Sequence, residues 1–571
     1  MHDKMSPEMV SVDKASTPAF AITDAANTTR SDGFDASAAS EGSSTQIPTW
    51  RFVLLSVSLG IGLFLSFIDS SIVSTAIFTI GTEFNEATRV FWVASAYTLA
   101  NVAFALPFTA VADVIGRFRA YLLASVVYLV FSIACGFAQT LSQLIAFRAL
   151  QGFGGSGLYA LGQVIWPEMM TISQRRWLGA AIGGILAIAG AVGPLLGGAI
   201  TSGATWRWIF WFKTPVAAVA LMLFLVSWPR QARHHVRRGI RTLDWMGCLL
   251  LIGASTLPTL AFQEARRKPI WNEALFLAPL SIGICLWIVL VGWEIYIAKS
   301  ERCSWKTVPI FPPDLMRTRR YTAAAINTLF TGFAYYIVVY AIPLRLQGVN
   351  GKTPVQAGIA LVPLLGAAAV GSFSTGGLSF KKDMLGWTSI AGSALMAIGT
   401  GLLTTLEVQN TRAIPKSLYG FEVFAGLGFG LAVASASMLA NFECELEHHA
   451  VAQGIVSQAR VLGGSLGIAA ASAILGRELR IQASIAVRES KDASLSGTAS
   501  DELSKSVQIA YSDAFSTTLL VACVVCCVAV CSALGTWDRH KQGLRERNAA
   551  QEQRESDRIE RLTAPTRVGP G

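Results

Sequence analysis

Hydrophobic residues along this chain gather into runs of about twenty, the length a helix needs to cross the hydrocarbon layer of a bilayer. Such runs begin near Phe52, Phe91, Ala120, Leu144, Leu178 and Trp208, and a basic linker from Arg230 to Arg241 follows them. Two more begin near Trp245 and Leu275, a second basic linker covers Lys299 to Arg320, and six further runs start near Tyr321, Val355, Gly386, Leu418, Val451 and Phe515. The pattern predicts an all-α polytopic membrane protein of fourteen spans, arranged as six, two and six.

The expected organisation is a disordered cytosolic tail over 1–50, a six-helix bundle over 51–229 and two additional helices with their linkers over 230–320. A second six-helix bundle over 321–537 and a charged cytosolic tail over 538–571 complete it. The first fifty residues are rich in Ser, Thr, Ala and Asp without apolar periodicity, and they show no signal-peptide pattern, so the first span is expected to serve as the insertion signal. The Asn27-Thr28-Thr29 sequon goes unused on a cytosolic tail.

Composition agrees with a membrane reading. The 571 residues are 52% hydrophobic and only 14% charged, with a mean hydropathy of +0.49, whereas soluble domains carry roughly 25% charge. A formal charge of +10 would suit nucleic acid, but the Lys and Arg sit in short loops between apolar runs. Through the eighth span they concentrate in alternate loops, among them Arg117, Arg119, Arg175, Arg176, Arg237, Arg238, Arg317, Arg319 and Arg320, which predicts cytosolic termini and excludes a nucleic-acid partner. The polar stretch from about Arg477 to Ala510 is read as a long outer loop. Nine cysteines lie mostly in or beside apolar runs, so no disulfide framework follows; Cys523-x-x-Cys526 is read as helix packing rather than a redox or zinc site.

Spans 4 and 5 are unusually rich in glycine, which weakens soluble helices but lets membrane helices approach closely. Span 4 contains Arg148-x-x-x-Gly152-x-Gly154 and span 12 contains Glu422-x-x-x-Gly426-x-Gly428, an internal repeat under a six-plus-six duplication with two inserted helices. Ionisable groups inside a bilayer are costly and mark functional sites by default, so Asp69, Arg148 and Glu422 are the proton- and substrate-coupling candidates. Each has a bland alternative: a buried structural hydrogen bond for Asp69, a lock between spans for Arg148, a solvated rim position for Glu422. Trp92, Tyr97, Tyr159, Tyr335 and Tyr336 are candidates to line a pocket for flat apolar compounds. His448 and His449, with Glu443, Glu445 and Glu447, are read as a wet surface patch rather than a metal site.

Further motifs carry a resemblance. The loop after span 2 reads Thr109-Ala-Val-Ala-Asp113-Val-Ile-Gly116-Arg117-Phe-Arg119, and an Asp ending one helix beside an Arg opening the next can form a charge latch on the cytosolic face. Span 1 carries Asp69-Ser-Ser-Ile-Val-Ser-Thr-Ala, span 2 opens Trp92-Val-Ala-Ser-Ala-Tyr97, and span 5 holds Gly184, Gly193, Pro194, Gly197 and Gly198. Trp206-Arg-Trp-Ile-Phe-Trp211, Asp244-Trp245-x-Gly247 and Tyr340-x-x-Pro343 follow in order. Over about Phe52 to Trp537 the chain resembles the major facilitator superfamily, and within it the fungal fourteen-span drug/proton antiporters that export toxins and drugs. It departs from the pattern at Thr109, Val114 and Ala189, and at Lys213, where the family has Asn.

The resemblance implies two six-helix bundles plus two central helices, a latch at Asp113, Gly116 and Arg117, and an antiporter motif at the span 5 glycines and Pro194. It implies alternating-access, proton-coupled efflux of hydrophobic small organic molecules by a monomer in the plasma membrane, with a vacuolar or vesicular membrane as the alternative. The expected partners are the substrate, protons and the lipid bilayer. No cofactor or metal is expected, and the chain lacks a Gly-x-x-x-x-Gly-Lys-Ser/Thr nucleotide cradle. Proton-coupled movement of another solute, such as a siderophore or amino acid, is the nearest rival. A polytopic membrane enzyme is more remote, because the six histidines form no nucleophile, base or metal constellation.

Overall fold

The structure, a computed structural model, describes residues 48–86, 89–90, 92–170, 178–229, 243–265, 273–299, 309–379, 383–406, 413–444, 449–492, 499–538 and 553. The amino-terminal tail with its sequon lies outside these residues, as do His448, Glu445, Glu447 and nearly all of the carboxy-terminal tail.

Helices dominate the described chain. The first half contributes α1 (Thr49–Glu83), α2 (Trp92–Ile115), α3 (Arg117–Gly136), α4 (Leu141–Met169), α5 (Leu178–Gly203) and α6, the consecutive stretches Trp208–Trp211 and Lys213–Ser227. Then come α7 (Trp245–Ala265) and α8 (Ala274–Lys299). The second half contributes α9 (Arg319–Gly348), α10 (Pro354–Ala360 with Val362–Leu378), α11 (Leu385–Thr404), α12 (Lys416–Phe442), α13 (His449–Asp492) and α14 (Ala499–Leu534). Among the described residues thirteen helices are long and apolar enough to cross a membrane. The fourteenth, α4, has the length at 29 residues but is diluted by Arg148, three glutamines and five glycines.

Packing repeats between the halves. α1 meets α5 and α6, α2 meets α4, and α3 meets α4 and α6; correspondingly α9 meets α13 and α14, α10 meets α12, and α11 meets α12 and α14. The glycine repeat explains how. A Cβ on Gly152 would strike the Tyr97 carbonyl of α2 and one on Gly154 the Tyr128 backbone of α3. Likewise, Gly426 lies against Leu364 of α10, and Gly428 against Gly392 and Met396 of α11. The same two glycines therefore seat the fourth helix of each half between its second and third, and Glu422 occupies the place in its half that Arg148 occupies in the other.

The halves meet along two seams, α2 with α13 and α5 with α10. α7 and α8 pair with each other, and α7 lies against both α2 and α13, so the inserted pair covers one seam from outside. α8 turns Ile284, Ile288 and Val291 outward, a face that suits lipid.

One expectation is corrected. The stretch from Arg477 to Ala510 is not a loop: α13 continues to Asp492 and α14 begins at Ala499, leaving only 493–498 outside the described residues. Its Ala, Leu, Arg, Glu and Lys are strong helix formers, so a polar sequence that leaves the membrane still continues the helix.

Candidate functional site

Asp69 of α1 is fully buried, and four side chains donate to its carboxylate. Arg148 Nη1 of α4 lies 2.6 Å from Oδ1 and Lys213 Nζ of α6 lies 2.5 Å from the same oxygen. Oδ2 accepts from the Tyr128 hydroxyl of α3 at 2.5 Å and from Gln151 Nε2 of α4 at 3.1 Å. Ser132 and Cys135 of α3 close the shell around Gln151. Arg148 is itself satisfied, donating also to Gln151 Oε1 at 2.7 Å and to the Val93 carbonyl of α2 at 3.0 Å, with its guanidinium 4.4 Å over the Tyr97 ring. Four helices thus meet at one carboxylate, and a fifth, α2, holds Arg148.

The structure joins Asp69 and Arg148, as a carboxylate and a guanidinium on facing helices would be expected to meet, but it does not bring Glu422 to them. Glu422 is buried in the other half, on the face of α12 turned to α10, so it is neither a solvated rim residue nor part of the cluster. Lys213 was not among the sequence candidates. The signal was its departure from the family's Asn, and its position just after the Trp-rich entry to span 6 directs it back into the bundle.

Beside the cluster a narrow cavity lies between the halves. Ser66, Tyr97, Asn101 and Tyr159 line it from the first half and Tyr336 and Ser465 from the second, with Phe67 and Val461 among the apolar lining. Of the predicted aromatics, Tyr97, Tyr159 and Tyr336 reach this cavity, whereas Tyr335 stacks on Phe429 at 3.6 Å and Trp92 is elsewhere. Tyr97 belongs to both places. Its ring carries Arg148, its hydroxyl donates to the Ser66 carbonyl at 2.9 Å, and both residues face the cavity. Toward the start of α13 the halves touch directly: Gln458 donates to the Val102 carbonyl, Gly454 lies against Leu106, and the Tyr159 hydroxyl donates to the Ser457 carbonyl at 3.4 Å.

The latch residues form a three-helix knot. Arg117 reaches Asp113 at 2.5 Å and Glu168, at the end of α4, at 3.1 Å. Gly116 between α2 and α3 has φ +93°, a left-handed conformation that favours glycine and allows the reversal. Glu168 escaped the sequence reading because nothing local marks the end of α4 as facing the α2–α3 turn. The second half has a counterpart of different construction, in which Arg320 at the start of α9 binds Asp383 at 2.9 Å and Glu443 at 2.6 Å. Glu443 is therefore an ion-pair partner and not part of a wet patch.

The span 5 motif forms the helix contacts of α5. Gly193 lies against Ser71 of α1, whose hydroxyl donates to the Ala189 carbonyl, and Pro194 packs on Gly358 of α10. Gly184 faces Phe373 of α10, while the Gly197 and Gly198 carbonyls accept from Thr201 and Ser202 within the helix. This helix thus packs between α1 of its own half and α10 of the other. Among the described residues no group of three or more His, Cys, Asp or Glu is placed to hold a metal.

Two repeated six-helix halves closing on a central cavity, with a buried ion cluster beside it, define a multi-pass membrane transporter. The family model for the Major Facilitator Superfamily matches residues 59–468, and the chain belongs to that superfamily. Fungal transporters are among its relatives. It is 29% identical over 489 residues to the MFS-type transporter FPY5 of Fusarium mangiferae, covering 83% of this chain and 81% of that one. It is 30% identical over 491 residues to an MFS-type transporter of Claviceps purpurea, covering 83% and 82%, and 28% identical over 432 residues to the efflux pump FUS6 of Gibberella moniliformis, covering 75% of each.

Proposed function

We propose that this secondary transporter exports hydrophobic small organic molecules in exchange for protons. The observation that carries the reading is the sharing of Tyr97 between the Asp69 cluster and the cavity wall. Guanidinium stays charged, so the exchangeable proton of the cluster belongs to the Asp69–Lys213 pair. A proton arriving from outside on Asp69 weakens its contacts to Arg148 and Lys213 together. Arg148 then redistributes toward Gln151 and the Val93 carbonyl, and its hold on the Tyr97 ring changes with it. Charge at Asp69 is thereby coupled to the shape of the cavity wall, while the latch and the Arg320 cluster oppose opening on the cytosolic side.

The cavity lining supports a cargo that is apolar with a few polar groups, since phenylalanine and tyrosine rings alternate with hydroxyls and one amide. The efflux-pump name of a fungal relative supports the outward direction, and a plasma-membrane location suits export. The test is flux of a flat hydrophobic dye into inside-out vesicles carrying the full chain. Acidifying the vesicle interior is expected to drive accumulation and a protonophore to stop it; dye movement indifferent to both would overturn proton coupling.

A further inference from the structure

Arg460 of α13 is wholly buried, and only one of its three guanidinium nitrogens has a partner: Nη2 donates to the Ser437 hydroxyl of α12 at 3.3 Å, while Nε and Nη1 have none. Among the described residues no carboxylate lies within ion-pair distance of it. Glu422 cannot serve, because it sits fifteen residues before Ser437 on the same helix, roughly 22 Å along the axis. A guanidinium left this way is costly, and buried charges are as a rule paired. Arg148 in the first half, by contrast, has four acceptors.

Its surroundings are those of a binding wall. The next residue, Val461, and Ser465 one turn on line the central cavity, and Tyr336, another lining residue, packs on Gly464 of the same helix. On the cytosolic side of Arg460 the buried Gln453 Oε1 and Ser457 Oγ also lack partners. These residues recur at turns of α13 on the flank that meets α4 and α12. Arg460 itself is not among the lining residues and stands directly behind Val461, so a ligand would reach it by displacing this wall.

We propose that Arg460 is the recognition point for an anionic group on the transported molecule, a carboxylate or an acidic phenol or enol, held by Nε and Nη1 while the apolar body of the cargo rests against Tyr336 and Val461. This rests on the export reading above, and it adds the chemical class of the cargo. An arginine whose paired N–H groups are free matches a carboxylate in shape as well as charge.

The test uses the purified full chain in detergent with two fluorescent probes of equal bulk, pyrenebutyric acid and its methyl ester, bound at a pH where the acid is ionised. Wild type is expected to bind the acid at least about tenfold more tightly than the ester, as the loss of a hydrogen-bonded charge implies. Arg460→Gln should erase the preference while leaving ester affinity in place, and Arg460→Lys should retain part of it. Ester binding with no acid preference in wild type overturns the assignment of Arg460 alone, and a preference that survives in Arg460→Gln does the same. Failure of wild type to bind either probe overturns the apolar-cargo reading and this proposal with it. Where Arg460→Gln fails to fold, Arg460→Lys carries the comparison, an undiminished preference there overturning the assignment, and Ser437→Ala, which releases the remaining partner, should not weaken acid binding.

Discussion

Substituting Asp69 by Asn keeps the volume and removes the charge from the centre of the cluster. Lys213 Nζ and Arg148 Nη1 share one carboxylate oxygen at 2.5 and 2.6 Å, so the two nitrogens lie no more than about 5 Å apart. At an effective dielectric constant of about 20, the Asp69–Lys213 attraction is roughly 6.5 kcal/mol and the Lys213–Arg148 repulsion at least about 3 kcal/mol. The difference is comparable to the several kcal/mol that desolvating an ammonium costs. Lys213 therefore adds little net stability, and Lys213→Met should change it by no more than about 1 kcal/mol. Asp69→Asn leaves two cations facing each other without a counter-ion and should cost about 3–5 kcal/mol. Adding Lys213→Met to Asp69→Asn removes the repulsion and should recover part of that loss. The assay is thermal unfolding of the four detergent-purified proteins, with the order wild type and Lys213→Met highest, the double variant next, and Asp69→Asn lowest. Equal stability of Asp69→Asn and wild type, or a double variant no better than Asp69→Asn, would refute the charge accounting.

Arg117→Ala removes charge-assisted hydrogen bonds to Asp113 and Glu168, worth about 1.5–3 kcal/mol, and each 1.4 kcal/mol lost from one state shifts the balance of inward- and outward-open forms about tenfold. Flux should fall at normal surface expression, with Glu168→Gln showing the same defect to a smaller degree; unchanged flux would dismiss the latch. Gly154→Val should block the α3–α4 approach and lower the yield of folded protein, whereas Gly420→Ala, where a Cβ meets nothing within 4 Å, should be tolerated in the same expression assay. Single cysteines placed within 493–498 of an otherwise cysteine-free chain should label from the outer side with an impermeant reagent, and cytosolic labelling would overturn the fourteen-span topology.

The spans were legible because a bilayer imposes one rule on every crossing, a run of about twenty apolar residues, and the glycine repeat was legible because close helix approach demands residues without side chains. Asp69 and Arg148 stood out as ionisable groups inside apolar runs. What joins them was hidden, since Lys213, Tyr128 and Gln151 come from three different helices and no local pattern says that these faces converge. Lys213 also follows the Trp-rich stretch at the start of a span, where a lysine ordinarily reads as an interfacial anchor. Arg460 was missed for a similar reason: it lies in a small-residue helix, and its lack of an acidic neighbour emerges only from the packing. The helical extension of α13 and α14 is hidden by its polarity, which predicts a loop, although its residues favour helix.

The most direct test of proton coupling through the Asp69–Lys213 pair is accumulation of a hydrophobic dye in proteoliposomes with an acid interior, comparing wild type with Lys213→Met at equal reconstitution. The wild type should concentrate dye in proportion to the pH gradient. Lys213→Met should bind dye normally yet accumulate it no better with the gradient than without. Accumulation by Lys213→Met at the wild-type rate and with the same gradient dependence would contradict the account.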